Sequence, residues 1–237
     1  MKMLRTLLIC GLSCLVLAQT SARSPRPALF VSLAQLNVAV LLPSPSASDS
    51  AATRRDLAEL HQIQETRTAA QIASARDDEA EKDIFIFRNV LGDKFKRAAL
   101  PLTAALSSHI VTNEGVIVSP AKNFFRRTRP YHFDPTLKPV CKIKDPGTDY
   151  SYPSDHSTIG YLEALTLVQM VPEKRDAILA RADDYAHNRI VCGAHFPSDP
   201  VASKLVAYAM IALMINNPDF RRELEAARTE TRHALGL

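Results

Sequence analysis

Apolar residues recur at intervals of three and four along most of the chain from about residue 53. Leu57, Leu60 and Ile63 begin the pattern, with Arg and Glu residues on the opposite face. Spacing of this kind predicts amphipathic helices. Further helices are predicted over 78–90, 102–109, 154–170, 173–187, 201–215 and 218–233. Because few stretches alternate in the manner of a strand, the pattern predicts an all-α fold.

Three details of the pattern concern single segments. The stretch from Lys122 to Asp149 has several Pro residues and little periodicity, which predicts a long loop. Asp199-Pro200 predicts a helix cap followed by Pro at the first helical position. The helix over 201–215 is apolar almost all round and too short for a membrane span of roughly 20 residues. It is predicted to be a buried core helix or a dimer interface, so a homodimer is one expectation.

The first 22 residues have the parts of a secretory signal. Lys2 and Arg5 precede an apolar run of about 12 residues, which small and polar residues follow. Cleavage is predicted after Ala22, with Ala18 as a second candidate site and an uncleaved anchor as the alternative. The protein is therefore expected to be secreted or periplasmic, without a membrane span once the signal is removed.

Composition agrees with a single folded domain behind this signal. The 237 residues are 46% hydrophobic and 23% charged, which supplies enough apolar mass for a core and excludes general disorder. The predicted parts are a signal at 1–22, an irregular N-terminal lead-in at 23–50 and one helical domain at 51–237. The formal net charge of +4 is too small and too dispersed to indicate a nucleic-acid-binding protein.

Two cysteines, Cys141 and Cys192, remain after the signal is removed. In an exported protein they form either a disulfide or two buried thiols. Neither Cys-x-x-Cys nor His-Glu-x-x-His occurs in the sequence, so no zinc site is predicted.

A basic segment is the first of three that carry candidate chemistry. It places four cations within eight residues beside two Phe residues: Lys122, Arg126, Arg127 and Arg129. Such a run is usually a solvated face. Converging cations also form an oxyanion pocket, since the planar guanidinium donates two parallel hydrogen bonds to phosphate oxygens.

The other two segments each contain a histidine. Residues 151–157 directly precede a helix, whose unpaired N–H groups attract anions, and His156 stands where it would give a proton to a leaving group. The alternative for this segment is an ordinary helix cap. Further on, His195 is followed four residues later by Asp199, and a carboxylate in that position fixes the imidazole tautomer for nucleophilic attack. The alternative there is a structural histidine beside a capping Asp.

In order, the three segments contain K-x6-R-P, P-S-D-H and R-x5-H-x3-D. Together they resemble the signature of the type 2 phosphatidic acid phosphatase (PAP2) superfamily, which includes bacterial class A nonspecific acid phosphatases and vanadium haloperoxidases. The residues around the motifs are most similar to the class A enzymes. The motifs cover residues 122–199, and the resemblance implies a single-domain helical bundle of the PAP2 and haloperoxidase type.

The resemblance also implies a role for each matching residue. His195 would be the nucleophile that forms a phosphohistidine, Asp199 would orient it, and His156 would protonate the leaving alcohol and then activate water. The non-bridging phosphate oxygens would be held by Lys122, Arg129, Arg189, Ser154 and the backbone N–H of Asp155.

A secreted acid phosphatase that hydrolyses phosphomonoesters to inorganic phosphate is therefore the leading expectation. The expected mechanism uses no metal or other cofactor, since three cations stabilise the charge. An alcohol that replaced water at the phosphohistidine would give phosphotransferase activity as well. The alternatives are an inactive relative that only binds phosphate and a vanadium-dependent haloperoxidase.

Two residues depart from the usual signature. Asp155 replaces a Gly, and its carboxylate would repel a nearby phosphate unless it points away, caps the helix or pairs with Arg126 or Arg127. Asn188 replaces a Ser but still offers an amide donor, so its expected effect is small.

Overall fold

The computed structural model describes residues 30–143 and 149–237. Its α-helices are α1 (Val38–Leu41), α2 (Ala51–Thr66), α3 (Ala69–Ala80), α4 (Arg88–Leu91), α5 (Pro101–Phe125), α6 (Pro130–Phe133), α7 (Asp155–Met170), α8 (Arg175–Val191), α9 (Ser198–Met214) and α10 (Pro218–Leu235). Short 3-10 turns lie at Ile84–Phe87, Arg97–Ala99 and Pro172–Lys174. No strand occurs within the described ranges, and the predicted all-α class is confirmed. The predicted signal at 1–22 lies outside the described residues.

The central element is α7, which is buried along most of its length. It packs against α5, α8, α9 and α10. Leu162 and Leu167 are fully buried there, and each contributes about 1.5–3 kcal/mol to folding. Gly160 allows α8 to approach closely, since a Cβ at this position would lie 2.5 Å from the ring of Tyr185. The packing fixes the N-terminus of α7 within the bundle.

The described part of the lead-in, residues 30–50, packs on this bundle. Its backbone is mostly irregular, with α1 as a single helical turn. The backbone N–H groups of Phe30 and Val31 both donate to the side-chain oxygen of Asn113 in α5, at 3.0 and 2.8 Å. Phe30 also packs edge-on against Phe220 of α10. These contacts bury the start of the described chain against the core.

The predicted loop from Lys122 is wrong at its start. The third predicted helix, over 102–109, is in fact α5, which continues to Phe125 with Pro120 inside it. Pro120 lies on the exposed face, where the loss of one N–H costs a single backbone hydrogen bond, while Ile117 and Val118 remain buried. Lys122 therefore lies in the last turn of a long helix.

Other predicted boundaries also move. The helix predicted over 78–90 is divided, because α3 ends at Ala80 and a 3-10 turn begins at Ile84. The helix predicted over 173–187 is α8, which ends at Val191 and brings Arg189 into its last turn. Asp199 is not a cap before α9: the helix begins at Ser198, so Asp199 lies in its first turn.

α9 is buried on one face only, so the predicted core helix describes that face, while the dimer-interface alternative for the exposed face stays a prediction. The exposed apolar residues are Val201, Leu205, Tyr208 and Ile215. Over the described ranges no single helix is long and apolar enough to cross a membrane; α9 and α10 pass that test only as a pair, bent by 98°.

Candidate active site

The imidazole of His195 lies on the tight connection between α8 and α9. Gly193 takes a left-handed conformation there (φ +72°), and its N–H donates to the Ile190 carbonyl at 2.8 Å. A side chain at Gly193 would press against the backbone of Pro139, so the turn favours glycine. One turn later, Asp199 places a carboxylate oxygen 3.2 Å from Nδ1 of His195, and both side chains are buried.

Hydrogen bonding defines the tautomer of His195. Nδ1 faces the Asp199 carboxylate and is the donor, while Nε2 accepts from an Arg129 N–H at 3.1 Å. Nε2 therefore carries the lone pair, as a nucleophile requires. Burial, followed by the nearby charges of Arg129 and Lys122, lowers the pKa of His195 well below its usual value. The ring is held in its neutral form.

The Asp199 carboxylate is held from three directions. Besides facing His195, it accepts from the backbone N–H of Phe196 at 3.0 Å and from the guanidinium of Arg127 at 2.6 Å. Burial raises the pKa of Asp199 to about 6, while Arg127 acts in the opposite direction.

Sequence reasoning missed Arg127 as a site residue. Its guanidinium is buried over the ring of Phe196, with 3.9 Å from Cζ to the ring centroid, and it bonds both Asp199 and the Ser198 hydroxyl. Asp56 of α2 completes the group, 3.2 Å from Arg127 and 2.5 Å from Ser198. The only sequence signal for Arg127 was its place in the basic run.

The three predicted phosphate-binding cations lie at the same site, and each contacts a carboxylate. The nitrogen–oxygen distances are 3.3 Å for Lys122–Asp155, 2.6 Å for Arg129–Asp149 and 3.8 Å for Arg189–Glu79. Neither Asp149 nor Glu79 was predicted from the sequence. Two guanidinium N–H groups, at Nε of Arg129 and of Arg189, are buried and have no partner. Unsatisfied buried donors are costly, so these two suit an incoming anion.

The N-terminus of α7 supplies the P-S-D-H residues. Ser154 is the N-cap, and its hydroxyl accepts from the Ser157 N–H at 3.3 Å, so the capping alternative is correct for its side chain. The Ser203 hydroxyl of α9 accepts from the Ser154 N–H at 2.8 Å and contacts the Ser154 and Asp199 carbonyls. This bridge joins the helix start that carries His156 to the one that carries Asp199.

His156 and Asp155 follow directly in the first turn of α7. Nε2 of His156 lies 3.1 Å from the backbone carbonyl of Glu79 and donates to it. The sequence suggested Arg126 or Arg127 as a partner for Asp155. In the structure Asp155 pairs with Lys122 instead. Arg126 is exposed in a left-handed conformation at the end of α5, and Arg127 is committed to Asp199.

Asn188, the second departure from the signature, has a structural role. Its amide donates to Asp78 of α3 at 2.7 Å and to Ser74 at 3.1 Å. Arg181 of α8 also pairs with Asp78, at 2.5 Å. These bonds hold α3 against α8, which positions Glu79 beside Arg189.

Cys141 and Cys192 form a disulfide, which settles the choice between a bond and two thiols. An Arg189 N–H donates to the sulfur of Cys192 at 3.5 Å, so the bridge contacts one of the cations. The Glu79 carboxylate and the two sulfurs are the one cluster with metal-ligand spacing found in residues 30–143 and 149–237. Because the sulfurs are bonded to each other, they do not offer thiolate ligands there.

Comparison with known proteins agrees with this arrangement. Residues 100–223 match the sequence profile of the PAP2 superfamily. An acid phosphatase of Zymomonas mobilis is 40% identical over 140 residues, which cover 58% of this chain and 52% of that protein. A non-specific acid phosphatase of Providencia stuartii is 30% identical over 65% of this chain and 66% of its own length. A non-specific acid phosphatase of Salmonella typhimurium is 30% identical over 82% of this chain and 80% of its own length. The match thus spans about half of the Zymomonas protein and just under two thirds of the Providencia protein.

Proposed function

The chain belongs to the PAP2 superfamily, and from this premise we propose that it is an acid phosphatase that hydrolyses phosphomonoesters through a phosphohistidine. The observation that carries the proposal is the buried imidazole of His195, with Nδ1 directed to Asp199 and Nε2 directed among the cations. A neutral imidazole with its lone pair facing a cationic pocket is suited to attack a phosphorus atom.

In the first step, Nε2 of His195 attacks phosphorus and the bond from phosphorus to the ester oxygen breaks. The developing charge on the phosphoryl oxygens is stabilised by Lys122, Arg129 and Arg189, and the last two each have a buried Nε–H without a partner. Arg129 exchanges its hydrogen bond to Nε2 for one to phosphate, which frees the lone pair. The Ser154 hydroxyl and the backbone N–H of Asp155 complete the pocket, and Asp199 stabilises the charged imidazole.

In the second step, His156 changes its role. It has given a proton to the leaving alkoxide, so its neutral form accepts a proton from water as the water oxygen attacks phosphorus. The bond from phosphorus to Nε2 breaks, inorganic phosphate leaves and His195 is again neutral. An alcohol in place of that water would give a new phosphoester, which is the phosphotransferase reaction we expect alongside hydrolysis.

The charge states give the pH dependence. Turnover requires an ionised Asp199 and a neutral His195, but a protonated His156. Since burial raises the pKa of Asp199 to about 6, activity falls on the acidic side as that carboxylate is protonated. Because the proposed general acid must be protonated in the same enzyme, a bell-shaped profile with a mildly acidic optimum is expected.

Export from the cytoplasm is part of the proposal. It is supported by the signal-like segment at 1–22 and by the disulfide between Cys141 and Cys192, since disulfides persist in oxidising compartments. The pocket stabilises charge with three side-chain cations, so we propose turnover without a metal ion and test this directly with a chelator.

The first test is hydrolysis of p-nitrophenyl phosphate by the mature protein from pH 4 to 8, with and without EDTA. We expect turnover that survives EDTA, peaks below neutrality and is lost in His195→Ala. His233→Ala, on the exposed end of α10, is the matched control and should retain full activity. Rapid quenching with labelled substrate should trap a phosphoprotein in wild type and none in His195→Ala.

Failure of this test has distinct forms. A folded protein that binds inorganic phosphate without turnover would be the inactive relative considered from the sequence. Halide oxidation after addition of vanadate, in the absence of phosphatase activity, would instead identify a haloperoxidase.

A further inference from the structure

The Asp155 carboxylate lies where a substrate phosphate is expected to bind. It is the first residue of α7, its side chain is 26% exposed, and one oxygen lies 3.3 Å from Nζ of Lys122. Lys122 is buried, and besides this ion pair its ammonium donates a hydrogen bond to the Pro153 carbonyl at 2.9 Å. An ammonium has three N–H groups, so one remains for a phosphate oxygen.

A second carboxyl group near Lys122 does not compensate this charge. Glu114 lies two turns earlier on α5, is buried, and has one side-chain oxygen without a partner. Burial, followed by the charge of Asp155, raises the pKa of Glu114 well above its usual value, so it stays protonated. Asp155 is therefore the acidic partner of Lys122.

This inference rests on the proposed function. We propose that Asp155 is a specificity-determining residue, whose carboxylate competes with the substrate phosphate for Lys122 and favours leaving groups that carry a positive charge. Two anions on one ammonium repel each other at short range, so binding of inorganic phosphate is weakened. A cation on the leaving group offsets that repulsion, because Asp155 lies in the same first turn of α7 as His156, the proposed proton donor to the leaving oxygen.

Phosphate binding tests the first half without requiring turnover. Calorimetric titration with inorganic phosphate should show roughly tenfold tighter binding in Asp155→Asn and Asp155→Gly than in wild type. Asp219→Asn is the matched control: it removes the same charge from the first turn of α10, where Asp219 pairs with an exposed Arg222. Its phosphate affinity should remain within about twofold of wild type.

Two substrates of equal size test the second half. In 2-aminoethyl phosphate an ammonium occupies the place of the terminal methyl of propyl phosphate. Wild type should prefer the aminoethyl ester by roughly fivefold in kcat/KM, and Asp155→Asn should bring the ratio close to one. The Asp219→Asn control should keep the wild-type ratio.

The outcomes separate this inference from the function on which it rests. Wild-type turnover with an unchanged phosphate affinity and an unchanged substrate ratio in Asp155→Asn would overturn the role of Asp155 alone. If neither wild type nor any variant binds phosphate or hydrolyses either ester, both this inference and the proposed phosphatase function fail.

Discussion

The two sides of the site differ in how their charges are compensated. On the nucleophile side, which comprises His195, Asp199, Arg127 and Asp56, the central carboxylate of Asp199 is fully buried, and Arg127 is fixed between it and the partly exposed carboxylate of Asp56. On the entrance side, the cations Lys122, Arg129 and Arg189 pair with carboxylates that remain partly exposed. Among the described residues, the buried side-chain N–H groups without a partner are both on the entrance side, at Nε of Arg129 and of Arg189.

This difference separates orientation from binding. The nucleophile side needs one fixed geometry, which charge-assisted hydrogen bonds in a buried setting provide. In the proposed cycle, the entrance side exchanges protein carboxylates for phosphate and back, so one anion replaces another beside each cation. Substitutions on the first side should therefore act on kcat, and those on the second on KM.

The largest effect is expected from Arg127→Met, which leaves Asp199 as an uncompensated buried charge. We expect kcat to fall roughly 100-fold with little change in KM, and stability to fall by about 3 kcal/mol. Because Arg127 lowers the pKa of Asp199, its removal should also shift the acidic limb of the pH profile to higher pH. Steady-state kinetics across pH and urea denaturation measure these changes.

Two variants make the Arg127 prediction specific. Arg127→Lys should recover part of kcat, since an ammonium restores the positive charge but not the planar guanidinium that bonds both Asp199 and Asp56. Asp56→Asn should cost only a few-fold in kcat, because Arg127 keeps its bond to Asp199. A stable Arg127→Met enzyme with a wild-type pH profile would remove the distinction between the two sides.

The disulfide should have the next largest effect, and on the entrance side. The bridge closes a separation of 51 residues, so the double variant Cys141→Ser, Cys192→Ser should lose about 4 kcal/mol of stability. Since the bridge contacts Arg189, KM should rise more than kcat falls. Denaturation and kinetics with and without dithiothreitol measure this, and the reductant should change wild type but not the double variant. A loss of kcat alone would contradict the assignment.

A smaller effect, on stability alone, is expected from Glu163, which belongs to neither side of the site. Glu163 of α7 is fully buried and accepts from Ser107 at 2.6 Å, and burial raises its pKa to about 8. The protonated carboxyl stabilises the fold below pH 4.5, and this stabilisation is lost as pH rises towards 8. Glu163→Gln should therefore match wild type at pH 4.5 and exceed it by ~3 kcal/mol at pH 7. Parallel denaturation curves at the two pH values would contradict this, and kcat serves as the internal control.

The fold class and the three motifs could be predicted because they depend on residues close together in the sequence. Helical periodicity and fixed spacing are properties of neighbouring residues, so α7 and α10 were placed within one or two residues of their observed bounds. The end of α5 was missed because the predicted helix stopped at His109, although buried Ile117 and Val118 continue the helix towards Phe125.

The partners of the charged groups could not be predicted, because they are distant from them in the sequence. Asp56 and Arg127 form an ion pair although 71 residues separate them in the sequence. Glu79 of α3 contacts Arg189 of α8. No local pattern distinguishes Arg127, which clamps Asp199, from Arg126, which is exposed. Only the tertiary packing places Arg127 against Asp199 and leaves Arg126 exposed to solvent.

Pairing of the three cations with carboxylates also affects how substrates arrive. A pocket of uncompensated cations would attract phosphate esters over a Debye length of about 8 Å at physiological ionic strength, with association rates that fall as salt is added. Here each positive charge is largely cancelled by its neighbour until a phosphate is close enough to displace it. Capture should therefore be a short-range event, and kcat/KM should change little as salt is added.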